Sequence, residues 1–224
     1  MRFNDRSDAG RQLAVVVQGF LEQGPVTRES VLVLALPRGG VPVGFEIAQV
    51  LGVPLDVFLV RKLGTPGHEE LAMGAIASGG GRVINKEVIQ AFGISPAQIE
   101  QTTARESQEL QRREELYRGN RPPVEVRGKT ILLVDDGLAT GYTMRAAIAT
   151  LKQEGPVHII VAVPVAARST CAELEKEAEA AVCLYTPFDF MAVGQWYRNF
   201  SQTSDDEVRR LLSEANNRSA HRAA

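Results

Sequence analysis

The sequence has few of the residues that build metal clusters, disulfide scaffolds and haem or flavin pockets. Of its 224 residues, 2 are cysteine, 3 are histidine and 1 is tryptophan. Cys171 and Cys183 do not have the CxxC spacing of thiolate zinc sites, so no such site is expected. Two free thiols in a reducing compartment are expected, with a single disulfide as the alternative.

Long hydrophobic runs and an excess of one charge are also missing. The polar first ten residues do not resemble a signal peptide, and no apolar run reaches the roughly eighteen residues that span a bilayer. Lys and Arg total 25 against 27 Asp and Glu, whereas general nucleic-acid binders carry a basic excess. The composition predicts a cytoplasmic protein that binds neither DNA nor membranes. Its 44% hydrophobic residues suffice for a sizeable core.

Short apolar runs alternate with helical patterns along the chain. The runs predict strands at 31–36, 55–60, 130–134, 157–163 and 181–185, each buried on both faces. Helices are predicted at 4–23, 40–51, 96–118, 141–154, 168–178 and 205–216. This alternation favours an α/β fold with an open, mainly parallel β-sheet flanked by helices. We therefore predict a single domain, 1–224, with a core at about 31–185.

Residues 64–85 depart from this alternation. The Gly- and Pro-rich segment 64–71 is typical of a loop, and 73–78 with 82–85 predicts a small β-hairpin around three glycines. The predicted helix 96–118 is heavily charged and has only a thin apolar stripe. It is expected on the surface or against another subunit.

The most informative segment is a strand that ends in two acids and a loop rich in Thr and Gly, with the sequence ILLVDDGLATGYT at 131–143. Asp135 and Asp136 repel each other and need hydroxyl donors or cations, so sugar hydroxyls and a magnesium-bearing ligand suit them. The loop leads into a helix N-terminus, which favours a phosphate. The segment predicts a pocket for a phosphorylated sugar. The alternative is a capped turn with surface acids.

This segment resembles the PRPP-binding signature of type I phosphoribosyltransferases, and the predicted elements from about 31 to 185 agree with that family. The resemblance implies that Asp135 and Asp136 are catalytic, contact the ribose hydroxyls of 5-phosphoribosyl-1-pyrophosphate (PRPP) and take a minor part in holding Mg²⁺. It also implies a loop for the 5-phosphate. That loop comprises Ala139, Thr140, Gly141, Tyr142 and Thr143.

Two further segments are candidates for binding pyrophosphate. Arg38, Gly39 and Gly40 follow the first predicted strand, where successive N–H groups and one guanidinium can face an anion. Arg61 and Lys62 follow the second predicted strand and add two cations. The resemblance assigns both segments to the diphosphate. On their own, a Gly-rich turn and a solvated basic pair are the alternatives.

The resemblance also implies elements outside the central sheet that act on the acceptor. A flexible loop within 64–85 would close over the reacting centre and exclude water. A hood built from 1–25 and 186–224 would hold the acceptor, and aromatic residues there are candidates for stacking on a base, with core packing as the alternative. These candidates are Phe188, Phe190 and Trp196.

The predicted function is a phosphoribosyltransferase of nucleotide metabolism, an enzyme that moves the 5-phosphoribosyl group from PRPP to a nitrogen acceptor and releases pyrophosphate. Mg²⁺ is the expected cofactor, held mostly by substrate and water. The resemblance implies a homodimer. Ala139 stands where 6-oxopurine members carry an acid, so another nucleobase is favoured. The alternatives are a non-catalytic PRPP- or nucleotide-binding regulator and a phosphosugar hydrolase.

Overall fold

The computed structural model of the protein describes residues 2–24, 26–27, 30–119 and 121–223. Its strands are β1 (Val31–Ala35), β2 (Leu55–Val57), β3 (Val60–Thr65), β4 (His68–Ala77), β5 (Arg82–Ile84), β6 (Thr130–Val134), β7 (His158–Val165) and β8 (Ala180–Tyr185). Its helices are α1 (Arg6–Glu22), α2 (Gly40–Leu51), α3 (Lys86–Phe92), α4 (Pro96–Arg118), α5 (Tyr142–Glu154), α6 (Arg168–Leu174) and α7 (Asp205–Ala223).

The central sheet has five strands in the order β2-β1-β6-β7-β8, and every neighbouring pair is parallel. Alternate strand residues enter two hydrophobic clusters, one shared with α1, α2 and α7 and the other with α5 and α6. Helices thus cover both faces, which is why every residue of β1 and β6 is buried and all but Thr130 are apolar. The predicted α/β fold with a parallel sheet is confirmed.

A second, antiparallel sheet has the order β3-β4-β5 and corrects two predictions. The strand expected at 55–60 is two strands, because Phe58 still pairs with β1 whereas Leu59 already hydrogen-bonds Ser78 beside the second sheet. Segment 64–71 is not a loop, since β3 and β4 pair through it around a turn at Pro66 and Gly67. The hairpin predicted from 73–78 and 82–85 is present as β4 and β5.

The helix starts follow the capping residues in the sequence. Asp5 accepts a hydrogen bond from the first turn of α1, and Ser204 does so for α7. Ser95 forms a reciprocal capping box with Gln98 at the start of α4. As expected for 96–118, α4 lies on the surface with most of its residues exposed, and its thin apolar side packs within the chain against β3, β4 and α7, where Leu110 is buried.

Other differences concern the ends of helices and the cysteines. Helix α3 has no counterpart among the predictions, and α6 ends at Leu174 rather than at 178. Cys171 of α6 and Cys183 of β8 form a disulfide, so the expectation of free thiols is wrong and the alternative holds. Within the described ranges, no helix combines the length and apolarity needed to cross a bilayer.

Candidate functional site

Two loops meet at the carboxyl edge of the central sheet, where ligands bind in open α/β folds. They follow the neighbouring strands β1 and β6, and the N–H of Leu36 donates to the carbonyl of Val134 over 2.8 Å. A Cβ placed on Gly40 would lie 2.6 Å from that carbonyl, and one on Gly39 would lie 2.0 Å from Oδ2 of Asp136. Only glycine fits at either position, so this sequence brings the first loop directly onto the acids.

The acid pair Asp135 and Asp136 is half-buried at the end of β6. The backbone N–H of Asp136 donates to Oδ1 of Asp135 over 2.8 Å. Burial, together with repulsion from Asp136, raises the pKa of Asp135 well above its ordinary value. Burial also raises the pKa of Asp136, although hydrogen bonding from Arg6 opposes that rise. Both groups therefore gain if a ligand supplies hydroxyl donors.

Two residues that are far from Asp136 in the sequence hydrogen-bond to it. Nε of Arg6 donates to Oδ2 of Asp136 over 2.7 Å, and the hydroxyl of Tyr197 donates to the backbone carbonyl of Asp136 over 2.6 Å. Tyr197 is buried, and its ring stacks on Phe200 at a centroid distance of 5.0 Å. The predicted hood segments therefore contact the acid pair directly.

The predicted 5-phosphate loop runs from Ala139 into the first turn of α5. Gly141 has a φ of 71°, the left-handed conformation that glycine adopts without strain, and it precedes the first helical residue. Oγ1 of Thr170, in α6, donates to the carbonyl of Ala139 over 2.6 Å and so holds the loop in place. Thr140, Tyr142 and Thr143 are exposed. The loop, which follows the acid pair in the chain, thus presents an open helix N-terminus and the hydroxyls of Thr140 and Thr143.

The predicted cations all have carboxylate partners. Arg38 lies 3.8 Å from Asp205, at the start of α7. Arg61 donates to Glu106 of α4 over 2.6 Å, and Lys62 lies 3.6 Å from Glu70. Arg61 and Lys62 are consecutive in β3, where successive side chains point to opposite faces. The structure therefore brings Arg38 to the loop edge, whereas Arg61 and Lys62 do not face one common point.

The three aromatic candidates lie in different environments. Phe188 is 94% exposed, with the Arg168 guanidinium 5.9 Å from its ring centroid. Phe190 is partly buried against a small cluster, and Trp196 is buried in that cluster with its ring 5.2 Å from that of Tyr185. Trp196 therefore has the packing role that was the alternative, and Phe188 is the candidate with a free ring face.

Two residues that contact the site were not identified from the sequence. Arg6 is 130 positions from Asp136, and Thr170 is 31 positions from Ala139. Each occurs in an amphipathic or polar stretch with no motif around it. Only the packing of α1 and α6 onto the loops reveals them.

The residues present do not form a complete metal site. In the ranges described, no group of three or more His, Cys, Asp or Glu side chains is placed to hold an ion. Asp135 and Asp136 provide two carboxylates, and one oxygen of Asp136 is occupied by Arg6. This donor set fits an ion that arrives with most of its oxygen ligands on a substrate.

Comparisons with known proteins show which family and which solved structure the chain is similar to. A model of the phosphoribosyl transferase domain matches residues 16–194. A candidate phosphoribosyl transferase of Mycobacterium tuberculosis is 45% identical over 213 residues, which are 95% of this chain and 47% of that protein, so the chain spans about half the length of the curated relatives it matches. The crystal structure of TT1426 from Thermus thermophilus is 42% identical, with a TM-score of 0.83 over 96% of this chain and 99% of that one. The chain belongs to the phosphoribosyl transferase domain family.

Proposed function

We propose that the protein transfers the 5-phosphoribosyl group of PRPP to a nitrogen acceptor, a nucleobase, with release of pyrophosphate. The observation that carries this proposal is the direct contact of the Gly39–Gly40 loop with the acid pair, beside the open loop at 139–143. An anion-binding loop, a carboxylate pair and a second anion-binding loop follow one another along the sheet edge. A sugar with a phosphate at one end and a diphosphate at the other has the matching order of groups.

Each part of PRPP has a partner in this arrangement. The 5-phosphate binds the N–H groups at the start of α5 and the hydroxyls of Thr140 and Thr143. The ribose hydroxyls donate to Asp135 and Asp136, whose half-buried carboxyls can accept hydrogen bonds beyond those from the Asp136 N–H and Arg6. The diphosphate binds the N–H groups near Gly39 and the Arg38 guanidinium, which must leave Asp205 to reach it.

The reaction needs stabilisation of positive charge on the sugar. The acceptor nitrogen forms a bond to C1 of the ribose while the bond from C1 to the diphosphate oxygen breaks and its electron pair leaves with pyrophosphate. The acceptor proton passes to solvent. As the leaving bond lengthens, the ring becomes cation-like, and the adjacent carboxylates stabilise it electrostatically. Arg38 neutralises part of the charge on the leaving group.

Magnesium enters this proposal with the substrate. When bound together with the diphosphate, the ion would supply charge neutralisation of the leaving group. Asp135 and the second oxygen of Asp136 are the residues available to contact it or its water ligands. The chain itself orients the sugar between them.

The acceptor is proposed to be a base other than a 6-oxopurine, because Ala139 offers no carboxyl group for proton transfer next to the phosphate loop. The exposed ring of Phe188 provides a surface on which a planar base can stack. A base stacked there is expected to protect Phe188 from solvent. Phe188→Leu should raise KM for the base and leave KM for PRPP unchanged.

Incubation with PRPP, Mg²⁺ and a panel of nucleobases tests the proposed reaction through release of pyrophosphate. Release that depends on one base supports transfer. Release without any base indicates a phosphosugar hydrolase and contradicts the proposal. Binding of PRPP, measured by calorimetry, without turnover on any base indicates a regulator and contradicts it as well.

The double variant Asp135→Asn with Asp136→Asn tests the acid pair. Turnover should fall by about 100-fold or more, because electrostatic stabilisation of the sugar is removed. Circular dichroism and the melting temperature should show an intact fold, since the amides keep the shape of the acids. Glu100→Gln, which removes a carboxylate from an exposed ion pair with Arg82, is the control and should keep full activity.

A further inference from the structure

Arg6 has an unusual environment for a residue in the first turn of a surface helix. Its side chain is 12% exposed, and Nε donates to Oδ2 of Asp136 over 2.7 Å. Nη1 donates to the carbonyl of Ser201 over 2.7 Å, and Cζ lies 4.0 Å from the ring centroid of Phe200. A guanidinium with three separate partners has lost its rotational freedom on folding, so it is a fixed part of the site.

We propose that Arg6 is a positioning residue for sugar recognition: it holds the carboxylate of Asp136 in the orientation that receives a ribose hydroxyl. This inference rests on the proposed function, because it assigns Asp136 to the sugar of the substrate. Arg6 itself does not touch the ligand. It acts through Asp136.

Two contacts restrict the side chain of Asp136. Oδ2 lies 2.0 Å from the place that a Cβ on Gly39 would take, and Nε of Arg6 donates to the same oxygen. The hydroxyl of Tyr197 fixes the backbone carbonyl of the same residue. Arg6 and Gly39 both lie against Oδ2, so Oδ1 is the more accessible oxygen for a hydroxyl of the ligand. A carboxylate that is already oriented loses less entropy when the sugar binds.

Helix α1 contains a second ion pair that serves as a control. Arg11 contacts Glu46 of α2 over 3.2 Å, and its side chain is 56% exposed. Both arginines therefore bridge α1 to a carboxylate of another element, but Arg11 is solvated and lacks contact with the acid pair. Loss of Arg11 should change the stability of the protein, as removal of an arginine from this helix does, and should leave ligand binding unchanged.

The test compares two probes, ribose 5-phosphate and inorganic phosphate, by calorimetry. The wild-type protein should bind ribose 5-phosphate more tightly, because the sugar hydroxyls add contacts with the acids. Arg6→Met should weaken binding of ribose 5-phosphate by about tenfold, the usual effect of a lost hydrogen bond to a charged group. Binding of inorganic phosphate should stay within about twofold of wild type, since the loop at 139–143 is unchanged. Arg11→Met should leave both affinities unchanged.

A double-mutant cycle separates positioning from a general structural role. If Arg6 acts through Asp136, Arg6→Met in an Asp136→Asn background should cause no further loss of ribose 5-phosphate binding. Additive losses, or an equal weakening for both probes, would overturn the proposal. Arg6→Lys retains one donor for Asp136 and should lose less than Arg6→Met. If Arg6→Met does not fold, Arg6→Lys replaces it throughout. The inference is then contradicted if Arg6→Lys has the same ratio of affinities for ribose 5-phosphate and inorganic phosphate as the wild type.

Different results would contradict the proposed function and the role of Arg6. A wild-type protein that binds ribose 5-phosphate no better than inorganic phosphate contradicts the proposed function. A wild-type protein that prefers the sugar phosphate, with the same preference in Arg6→Met, contradicts only the role of Arg6.

Discussion

At the scale of single residues, the site depends on two glycines as much as on its charged side chains. Gly39 and Gly40 allow the first loop to touch the acid pair, and neither has a positive φ, so their role is close approach. That approach encloses Asp135 and Asp136 and raises the pKa of both carboxyls. The protein thus tolerates two unfavourable charges where a hydroxyl-rich ligand can satisfy them.

Gly39→Ala should separate the two loops, because its methyl group would need the place of Oδ2 of Asp136. The free energy of unfolding should fall by roughly 1–3 kcal/mol, as for other overpacked sites. Affinity for ribose 5-phosphate should fall as well. Urea denaturation and calorimetry measure the two effects.

Gly19→Ala is the matched control for that substitution. A Cβ at Gly19, in the last turn of α1, meets no heavy atom within 4 Å. This variant should gain about 0.5–1 kcal/mol of stability, because alanine loses less conformational entropy than glycine in a helix. Equal stability of the two variants would contradict the close contact at Gly39.

At the scale of elements, α6 connects the phosphate loop to the edge of the sheet. Its Thr170 fixes the carbonyl of Ala139, and the next residue, Cys171, is bonded to Cys183 of β8. The short helix ends after only 7 residues, so its position depends on these attachments more than on its own hydrogen bonds. The geometry of the loop at 139–143, the predicted 5-phosphate loop, is therefore linked to the sheet edge through α6.

Removal of the disulfide by Cys171→Ala with Cys183→Ala should destabilise the protein by about 3 kcal/mol, the chain-entropy value for a short loop. The two cysteines are 12 positions apart. Thermal unfolding with and without dithiothreitol measures the effect. The reductant should lower the melting temperature of the wild type and leave that of the double variant unchanged, and a drop in both would contradict this assignment.

At the scale of the whole molecule, helices far apart in sequence meet beside the site. Tyr117, at the end of α4, donates its hydroxyl to Asp205 at the start of α7 over 2.6 Å, and Arg38 approaches the same carboxylate. Arg118 anchors the same end of α4 by a buried ion pair with Asp56 of β2. Global stability and the position of the Arg38 side chain thus depend on the same contacts.

Alkaline pH should weaken the contact between α4 and α7. Burial and the hydrogen bond to Asp205 raise the pKa of Tyr117 from 10.0 to about 12. A pKa raised on folding gives stability that is complete below the unfolded value and lost as pH rises through the folded value. The loss between about pH 10 and 12 should be roughly 2–3 kcal/mol at most.

Tyr117→Phe checks this dependence. The variant lacks the titrating hydroxyl, so its free energy of unfolding should fall less steeply between those pH values than that of the wild type. Chemical denaturation at several pH values provides the comparison. Parallel curves for the two proteins would assign the alkaline loss to other groups, with Tyr197, whose pKa is also raised by burial, as the next to test.

The amino-acid sequence by itself determined the parallel sheet, the capped helices and the motif at 131–143. These features depend on local patterns: continuous apolar runs, capping residues, and acids directly after a strand. Of the antiparallel sheet, the sequence predicted the pairing of β4 with β5 but not that of β3 with β4. Segment 64–71 contains glycine and proline, and its strand register is irregular at Gly64. The roles of Arg38, Arg61 and Lys62 at the diphosphate stay predictions.

The tertiary structure alone decided which side chains surround the acids. Arg6 reaches Asp136 across 130 positions of the sequence, Arg61 pairs with Glu106, and Cys171 with Cys183. Such pairs depend on how helices pack onto the sheet edge, and no short-range pattern encodes that packing. A sequence shows which residues can do chemistry at a strand end, whereas long-range contacts set their orientation, burial and charge.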